Sequence, residues 1–420
     1  MNRRVIIKKF YQEVIYDVHG VRNSKPRIVL RFSSLCLKAF GGAFLTLVLA
    51  PLSLFRPIEI WYLRSRRAKI SLMIEDLEWG LRNLQARKRK VFVIAIYKLP
   101  FPNNQLAKMY RRVLLLLGKR QILLSSCLQF VLPIGRISKK NPIERSESIF
   151  QVWNNAIPSL DFTNREIKRG LELEEKLFGG ESPPFICFAI PSKEYRLGVD
   201  LPANRHHGEL TDDPFLSIPN LSSYVSVINE LTNSGIAVLR MGILEQERLP
   251  TDLGPLAIDY AFDFRSEFGD LWLHSKCLFS LVAGAGSHWF GAAFNRRTVL
   301  TDGYAIRSTF DDRDLFIPQC GWLEGEGRYL TFSEIGSSEF ARDTELLKGG
   351  LKIVKNSPEE IVEVTTEMLL RLSGKWLETA EDRELQARYR EIVDSFQYQQ
   401  RTPARMGAKF LREHQHLLPQ

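Results

Sequence analysis

Read for its pattern of apolar and polar positions, the chain opens with one long apolar run and continues as short apolar runs alternating with helically spaced stretches. Ala39 to Phe55 is uncharged and is flanked by Lys38, Arg56, Arg64, Arg66 and Arg67. Its length is the lower limit for a bilayer span, and basic residues on both sides set no orientation. Gly41-Gly42 and Pro51 are expected to interrupt a simple rod. The reading this supports is a segment lying in, or dipping into, a membrane surface, with a true span and a buried core helix as alternatives. Beyond it, Ile70, Met73, Leu77 and Leu81 recur at helical spacing, and Val91 to Ile96 reads as a buried strand. Asn103 or Asn104 caps a helix carrying Leu106, Met109, Tyr110 and Val113. Ile122 to Ile134 fits either a strand or a membrane-facing helix, and its periodicity does not separate the two.

A mixed helical region from Ser146 to Leu177 ends at Gly179-Gly180, and Ser182-Pro-Pro184 reads as a hinge before a second unit. That unit alternates. Phe185 to Ile190 is a strand, Pro191 to Leu221 a long polar loop, and Ser222 caps a helix with Val225, Ile228 and Leu231 on one face. Then come the strands Ile236 to Gly242 and Leu256 to Tyr260, the helix Ser266 to Lys276, the apolar run Cys277 to Val282, a glycine turn with a short helix, and Thr298 to Leu300. Strand and helix in alternation predict an α/β fold with a parallel doubly wound sheet and a crevice at the strand carboxyl ends. Residues 358 to 397 read as charged helices and 398 to 420 as a flexible tail. The expected organisation is 1–66 (basic, apolar, membrane-associating), 67–180 (first Rossmann-like domain), 181–345 (second), 346–397 (helices) and 398–420 (tail).

Composition adds a charge split. The 420 residues are 45% hydrophobic and 25% charged, which excludes wholesale disorder. Residues 1–145 hold 29 Lys and Arg against 7 Asp and Glu (+22), and the rest hold 29 against 41 (−12), giving the net +10. A basic half suits an anionic membrane surface, an acidic partner or nucleic acid. No nucleic-acid recognition motif accompanies the charge, and long apolar runs interleave with it, so no nucleic-acid partner is expected. The five cysteines are scattered without metal-ligand spacing and read as core residues in a reducing compartment.

The glycine turn carries the most chemistry. In Val282-Ala-Gly-Ala-Gly-Ser-His288, Gly284 and Gly286 lack Cβ atoms and can take positive φ, so successive backbone N–H groups can converge on an anion, and Ser287 is a candidate N-cap. Arg240 ends an apolar strand and needs an anion or a carboxylate beside it; the carboxylate would be Asp259 or Glu267. Arg240, Asp259, Gly284 and Thr301-Asp302 should gather at the strand ends. Asp312-Arg-Asp314 has the spacing of a metal-binding pair but sits in a charged run, and no metal is expected. His288 can touch a phosphate or pack.

Val238-Leu-Arg-Met-Gly242, Ile258-Asp-Tyr-Ala261, Arg265-Ser-Glu-Phe-Gly-Asp270, Cys277 and Gly284-Ala-Gly-Ser287 occur in the order seen in a family of bacterial surface-polysaccharide glycosyltransferases, which the chain resembles over about residues 180–340 and more weakly over 67–117. The resemblance implies a GT-B-like fold, two Rossmann-like domains facing a cleft, with the second holding a nucleotide-sugar donor. It implies that Gly284, Gly286 and Ser287 cradle the diphosphate, that Arg240 neutralises it, that Gly242 and Asp259 belong to the same donor site, and that Ser266 and Glu267 contact ribose or base. The activity implied is sugar transfer to a lipid-linked glycan acceptor at the cytoplasmic face of the inner membrane, with no cofactor. A module that binds nucleotide or polyanion without catalysis is the alternative. An inverting transferase needs a base for the acceptor hydroxyl. His206, His207, Asp212 and Asp213 in the long loop are the candidates, with Glu75 or Glu78 from the first domain.

Overall fold

The computed structural model describes residues 25–64, 69–142, 149–192, 219–243, 247–284, 286–303, 311–337, 349–396 and 402–418. It is a mixed α/β protein with two parallel sheets. The first half comprises α1 (Lys25–Phe55), β1 (Ile58–Tyr62), α2 (Ile70–Ala86), β2 (Phe92–Ile96), α3 (Asn104–Tyr110), β3 (Leu115–Leu117), α4 (Ile122–Leu128), β4 (Ile137–Lys140), α5 (Ile149–Asn155) and α6 (Asn164–Phe178). The second comprises β5 (Phe185–Ala189), α7 (Val225–Asn233), β6 (Ala237–Met241), β7 (Ala257–Ile258), α8 (Tyr260–Asp263), α9 (Glu267–Lys276), β8 (Phe279–Ala283), α10 (His288–Ala293), β9 (Arg297–Gly303) and β10 (Leu315–Pro318). After these come the small β11 (Cys320–Leu323), β12 (Arg328–Tyr329), α11 (Phe332–Ser337) and β13 (Leu351–Val354), then α12 (Pro358–Leu372), α13 (Ala380–Ser395), β14 (Arg405–Met406) and α14 (Ala408–Glu413).

The first sheet has the order β3-β2-β1-β4 and the second β14-β10-β9-β8-β5-β6-β7, every pairing parallel; β12-β11-β13 forms a small antiparallel sheet. Strands β5, β6 and β8 are buried throughout, as the continuous apolar runs require of strands covered on both faces. Helices end where the chemistry directs. Asn103 caps α3 by accepting from Leu106 N–H, Thr163 and Glu166 close a reciprocal capping box on α6, and Gly179 takes the left-handed turn at its end.

Three expectations need correction. Ile58–Tyr62 is a central strand of the first sheet, so the apolar segment ends near Arg56-Pro57 and the first domain begins about ten residues earlier than position 67. Alternation of apolar side chains hid it behind the long run before it. The apolar segment is also one continuous helix despite Gly41-Gly42 and Pro51. Finally, residues 402–418 are integral rather than a flexible tail: β14 joins the edge of the large sheet, and Ala404, Met406, Phe410, Leu411, Leu417 and Leu418 are buried in the main core.

The two halves share a core. Trp61, Met73, Leu77 and Trp153 pack in one cluster with Leu271, Trp289 and Ala293 from the second half. The other face of the first sheet, with Ile58, Ile60, Ile94, Ile96 and Ile137, is covered by Leu45, Leu49 and Ala50 of α1 and by Leu128.

Candidate functional site

Strand order places the crevice. In the large sheet the chain runs outward from β5 through β6 to β7, then resumes on the opposite side of β5 with β8, β9 and β10. The switch lies between β5 and β8, and crevices form at the carboxyl ends of the strands at such points. The first sheet switches likewise between β1 and β4. The glycine turn follows β8 directly. Gly284 has φ +54°, the left-handed region that glycine enters without strain, and its N–H donates to Thr301 O at 2.9 Å. Thr301 is itself held. Its Oγ1 lies 2.6 Å from Tyr224 Oη, which donates to Asp302 Oδ2 at 2.8 Å. Asp302, at φ +49°, donates its N–H to Asn356 Oδ1 at 2.6 Å and accepts from Asn356 N–H at 2.9 Å. Burial raises the Asp302 carboxyl and pushes the Tyr224 phenol well above its usual value. The network fixes the backbone on which the turn rests.

Ser287 enters α10 with helical backbone and does not cap it; its Oγ is shut off from water and makes no hydrogen bond among the described residues. Across the crevice, a Cβ placed on Gly286 would lie 3.2 Å from Ser71 Cβ and 3.3 Å from Ser71 Oγ. The two switch points therefore touch, the glycine turn after β8 meeting the start of the helix that follows β1. Helix α2 opens on Lys69, which offers no side-chain acceptor to its first N–H groups.

From Ser71 the polar stripe Ser71, Glu75, Glu78, Arg82 runs along α2 at helical spacing. At its far end Arg82 is fully buried. It donates to Glu78 Oε2 (2.9 Å), Trp153 O (3.3 Å), Asn295 Oδ1 (2.7 Å), Ala292 O (3.2 Å) and Ala293 O (3.2 Å), and stacks over Trp153. A cation on the last carbonyls of α10 is favoured by the helix dipole. Helices α2 and α10 thus lie side by side and parallel, tied at their carboxyl ends by Arg82 and abutting at their amino ends by Ser71 and Gly286.

Beside this junction Arg64, just past β1, pairs with Glu75 and donates backbone N–H and Nε to Asp76 at 2.6 and 2.7 Å. Burial lifts Asp76 to about 6 even against the Arg64 charge. Tyr97, at the end of β2, is fully buried and raised to about 12, by burial and then by Asp76. Glu75 alone of the stripe's acids is partly accessible, at 14%.

The remaining residues singled out from the sequence fall as follows. Arg240 is buried at the end of β6, but its guanidinium donates to Glu247 O and lies 3.8 Å from Asp259 Oδ1, while Asp259 Oδ2 accepts from Leu249 N–H at 2.9 Å. This is the carboxylate-paired alternative, and the pair holds the backbone at Glu247 and Leu249. Ser266 caps α9 through Gly269 N–H at 3.0 Å. Glu267 reaches the first half: its carboxylate accepts from Asn104 N–H and Nδ2 at 3.1 and 3.0 Å, and Asn103 Nδ2 donates to its carbonyl at 3.0 Å. These contacts bridge α9 to the start of α3. Glu78 is buried beneath Arg82. Asp314 accepts from Thr298 N–H at 2.7 Å and so ties the start of β10 to the start of β9. His206, His207, Asp212 and Asp213 lie outside the described residues. Arg64, Ser71 and Asp76 were not singled out, although polar residues at three- and four-residue spacing inside the apolar pattern of α2 carry the signal.

No family model matches the chain, and no curated protein matches it. Among solved structures it is similar to the glycosyl transferase family 9 protein from Veillonella parvula, at TM-score 0.39 and 10% identity over 76% of this chain and 98% of that one. It is also similar to the dodecameric iron-containing heptosyltransferase TibC in complex with ADP-D-beta-D-heptose, at TM-score 0.31 and 10% identity over 60% of each chain. Neither likeness assigns a role to a residue of this chain.

Proposed function

We propose that the chain is a glycosyltransferase that takes a nucleotide sugar at the glycine turn and transfers its sugar to a glycan acceptor at the first domain. The supporting observation is the apposition of the two switch points through Gly286 and Ser71. Gly284 and Gly286 hold the diphosphate, whose leaving charge is met by backbone N–H groups there and by the amino end of α2. Arg240 and Asp259 act by holding Glu247 and Leu249 in place. Glu75, on the crevice face of α2 and paired with Arg64, accepts the proton of the acceptor hydroxyl. Oxygen attack on the anomeric carbon breaks its bond to the diphosphate, which leaves as the nucleoside diphosphate.

The test is release of nucleoside diphosphate from a panel of nucleotide sugars in the presence of membrane extract. Glu75→Gln should lower turnover by about 100-fold or more while leaving donor KM within about threefold. Equal loss in a Ser222→Ala control, or an unchanged rate, would reject Glu75. A second reading is a nucleotide-binding module without catalysis, favoured by the structural engagement of Arg240 and Glu267. It predicts that nucleotides bind and no donor is consumed.

A further inference from the structure

One surface of the first domain is built for something other than water. Helix α1 covers a face of the first sheet with only its inner side. Leu45, Leu49 and Ala50 pack on the Ile58, Ile60 and Ile94 layer. Every exposed position from Phe40 to Phe55 is apolar, with Phe44 at 66%, Leu47 at 75% and Phe55 at 89% accessible. The second element, α4 and the segment after it, continues the face with Ile122, Leu123 at 72%, Leu124, Leu132 and Ile134.

The two elements are joined closely. A Cβ on Gly41 would sit 2.5 Å from Cys127 Sγ, and one on Gly42 2.4 Å from Phe130 Cβ, so the glycine pair lets α1 approach α4. The hydroxyls turn inward. Thr46 Oγ1 donates to Gly42 O at 2.8 Å and accepts from Leu132 N–H at 2.9 Å; Ser53 Oγ donates to Ala50 O at 2.7 Å and accepts from Arg136 N–H at 3.2 Å. Exposed cations rim the face: Lys119 and Arg120 before α4, and Arg56 and Arg136 at the end of α1. Exposed apolar side chains gathered on one face and rimmed by charge mark an interaction surface.

We infer that this face is embedded in one leaflet of an anionic bilayer, with α1 and α4 lying in the interface and the rim cations on lipid headgroups, and that α1 does not span. The cations choose lipid over a second copy of the chain, because apposed copies would bring like charges together. Packing excludes a span. The carboxyl half of α1 is one layer of the first domain, so crossing would carry the sheet into hydrocarbon, with buried Glu59 and its partners Arg89 and Lys140. The inference is independent of the catalytic reading.

Full-length protein bearing amino- and carboxyl-terminal tags is mixed with preformed vesicles of phosphatidylglycerol and phosphatidylcholine, or of phosphatidylcholine alone, and floated. The wild type should float, more strongly with phosphatidylglycerol, and protease added outside should remove both tags. Phe44→Glu with Leu123→Glu should cut vesicle binding about tenfold or more while leaving circular dichroism and melting unchanged, since both side chains already face outward. Deleting residues 1–24 should leave binding intact. Protection of one tag would overturn the inference in favour of a span. Unchanged flotation of the double variant, loss of dimerisation alone, or loss of binding on deleting 1–24 would each overturn it as well.

Discussion

Replacing Arg82 with Met removes the cation that joins the two halves while nearly keeping its volume. The guanidinium makes five hydrogen bonds, and both it and its partner carboxylate on Glu78 are 0% accessible. Stripping one member from a buried ion pair costs about 3–5 kcal/mol, because the remaining charge has no solvent. Arg82→Met should therefore lower unfolding free energy by about that amount, read as a drop in the urea midpoint at constant slope. Two arms identify the cause. Glu78→Gln on the Arg82→Met background should return at least about half of the loss, since a neutral amide needs no counter-charge. Burial already raises the Glu78 carboxyl with Arg82 present. Without Arg82 it rises further, and a raised carboxyl favours the fold at low pH and loses that contribution as pH rises, so the deficit should be smaller near about pH 5 than near about pH 8. A loss under about 1 kcal/mol, the range of an exposed pair, would refute the argument, as would a double variant that loses the sum of both changes.

Asp76 and Asp270 are both lifted to about 6, mainly by burial. Their contribution is complete below the unfolded value near about 4 and is lost as pH rises through about 6; Asp76→Asn should remove roughly half of that fall, on the order of 2 kcal/mol, in stability measured across the window. Gly284→Ala forces a Cβ into the left-handed region and should cost about 1–2 kcal/mol by thermal or urea unfolding. Gly286→Val should abolish nucleotide-induced stabilisation, because its branches meet Ser71 in the crevice; retention of the full thermal shift would clear the turn of ligand contact. Removing residues 402–420 strips six buried apolar side chains and an edge strand, and should cost on the order of 5 kcal/mol or more.

Much of the second half was legible because parallel strands buried on both faces leave unbroken apolar runs, as at Phe185–Ala189 and Phe279–Ala283. The glycine turn was legible through composition, since only glycine enters the left-handed region freely at Gly284. What escaped did so for physical reasons. Ile58–Tyr62 follows the apolar helix after only Arg56-Pro57, so the short run read as part of what precedes it. Residues 402–418 look polar because α14 buries only one side, with Phe410 and Leu411 inward and Lys409 paired to Glu363 outside. Arg240 and Glu267 carry charges that suit a phosphate or a ribose, and sequence alone could not show that Glu247, Asp259 and Asn104 already engage them. The Ser71–Glu75–Glu78–Arg82 stripe needed the neighbouring helix to be visible, because its meaning lies in what α10 presents to it.

Calorimetric titration of the full-length protein with nucleoside diphosphates, beside the matching nucleosides and the Gly286→Val variant, tests the donor site most directly. The account predicts that at least one diphosphate binds the wild type, that its nucleoside binds at least about tenfold more weakly, and that Gly286→Val loses the difference. If no diphosphate binds, or if Gly286→Val binds as the wild type does, the glycine turn does not hold a diphosphate.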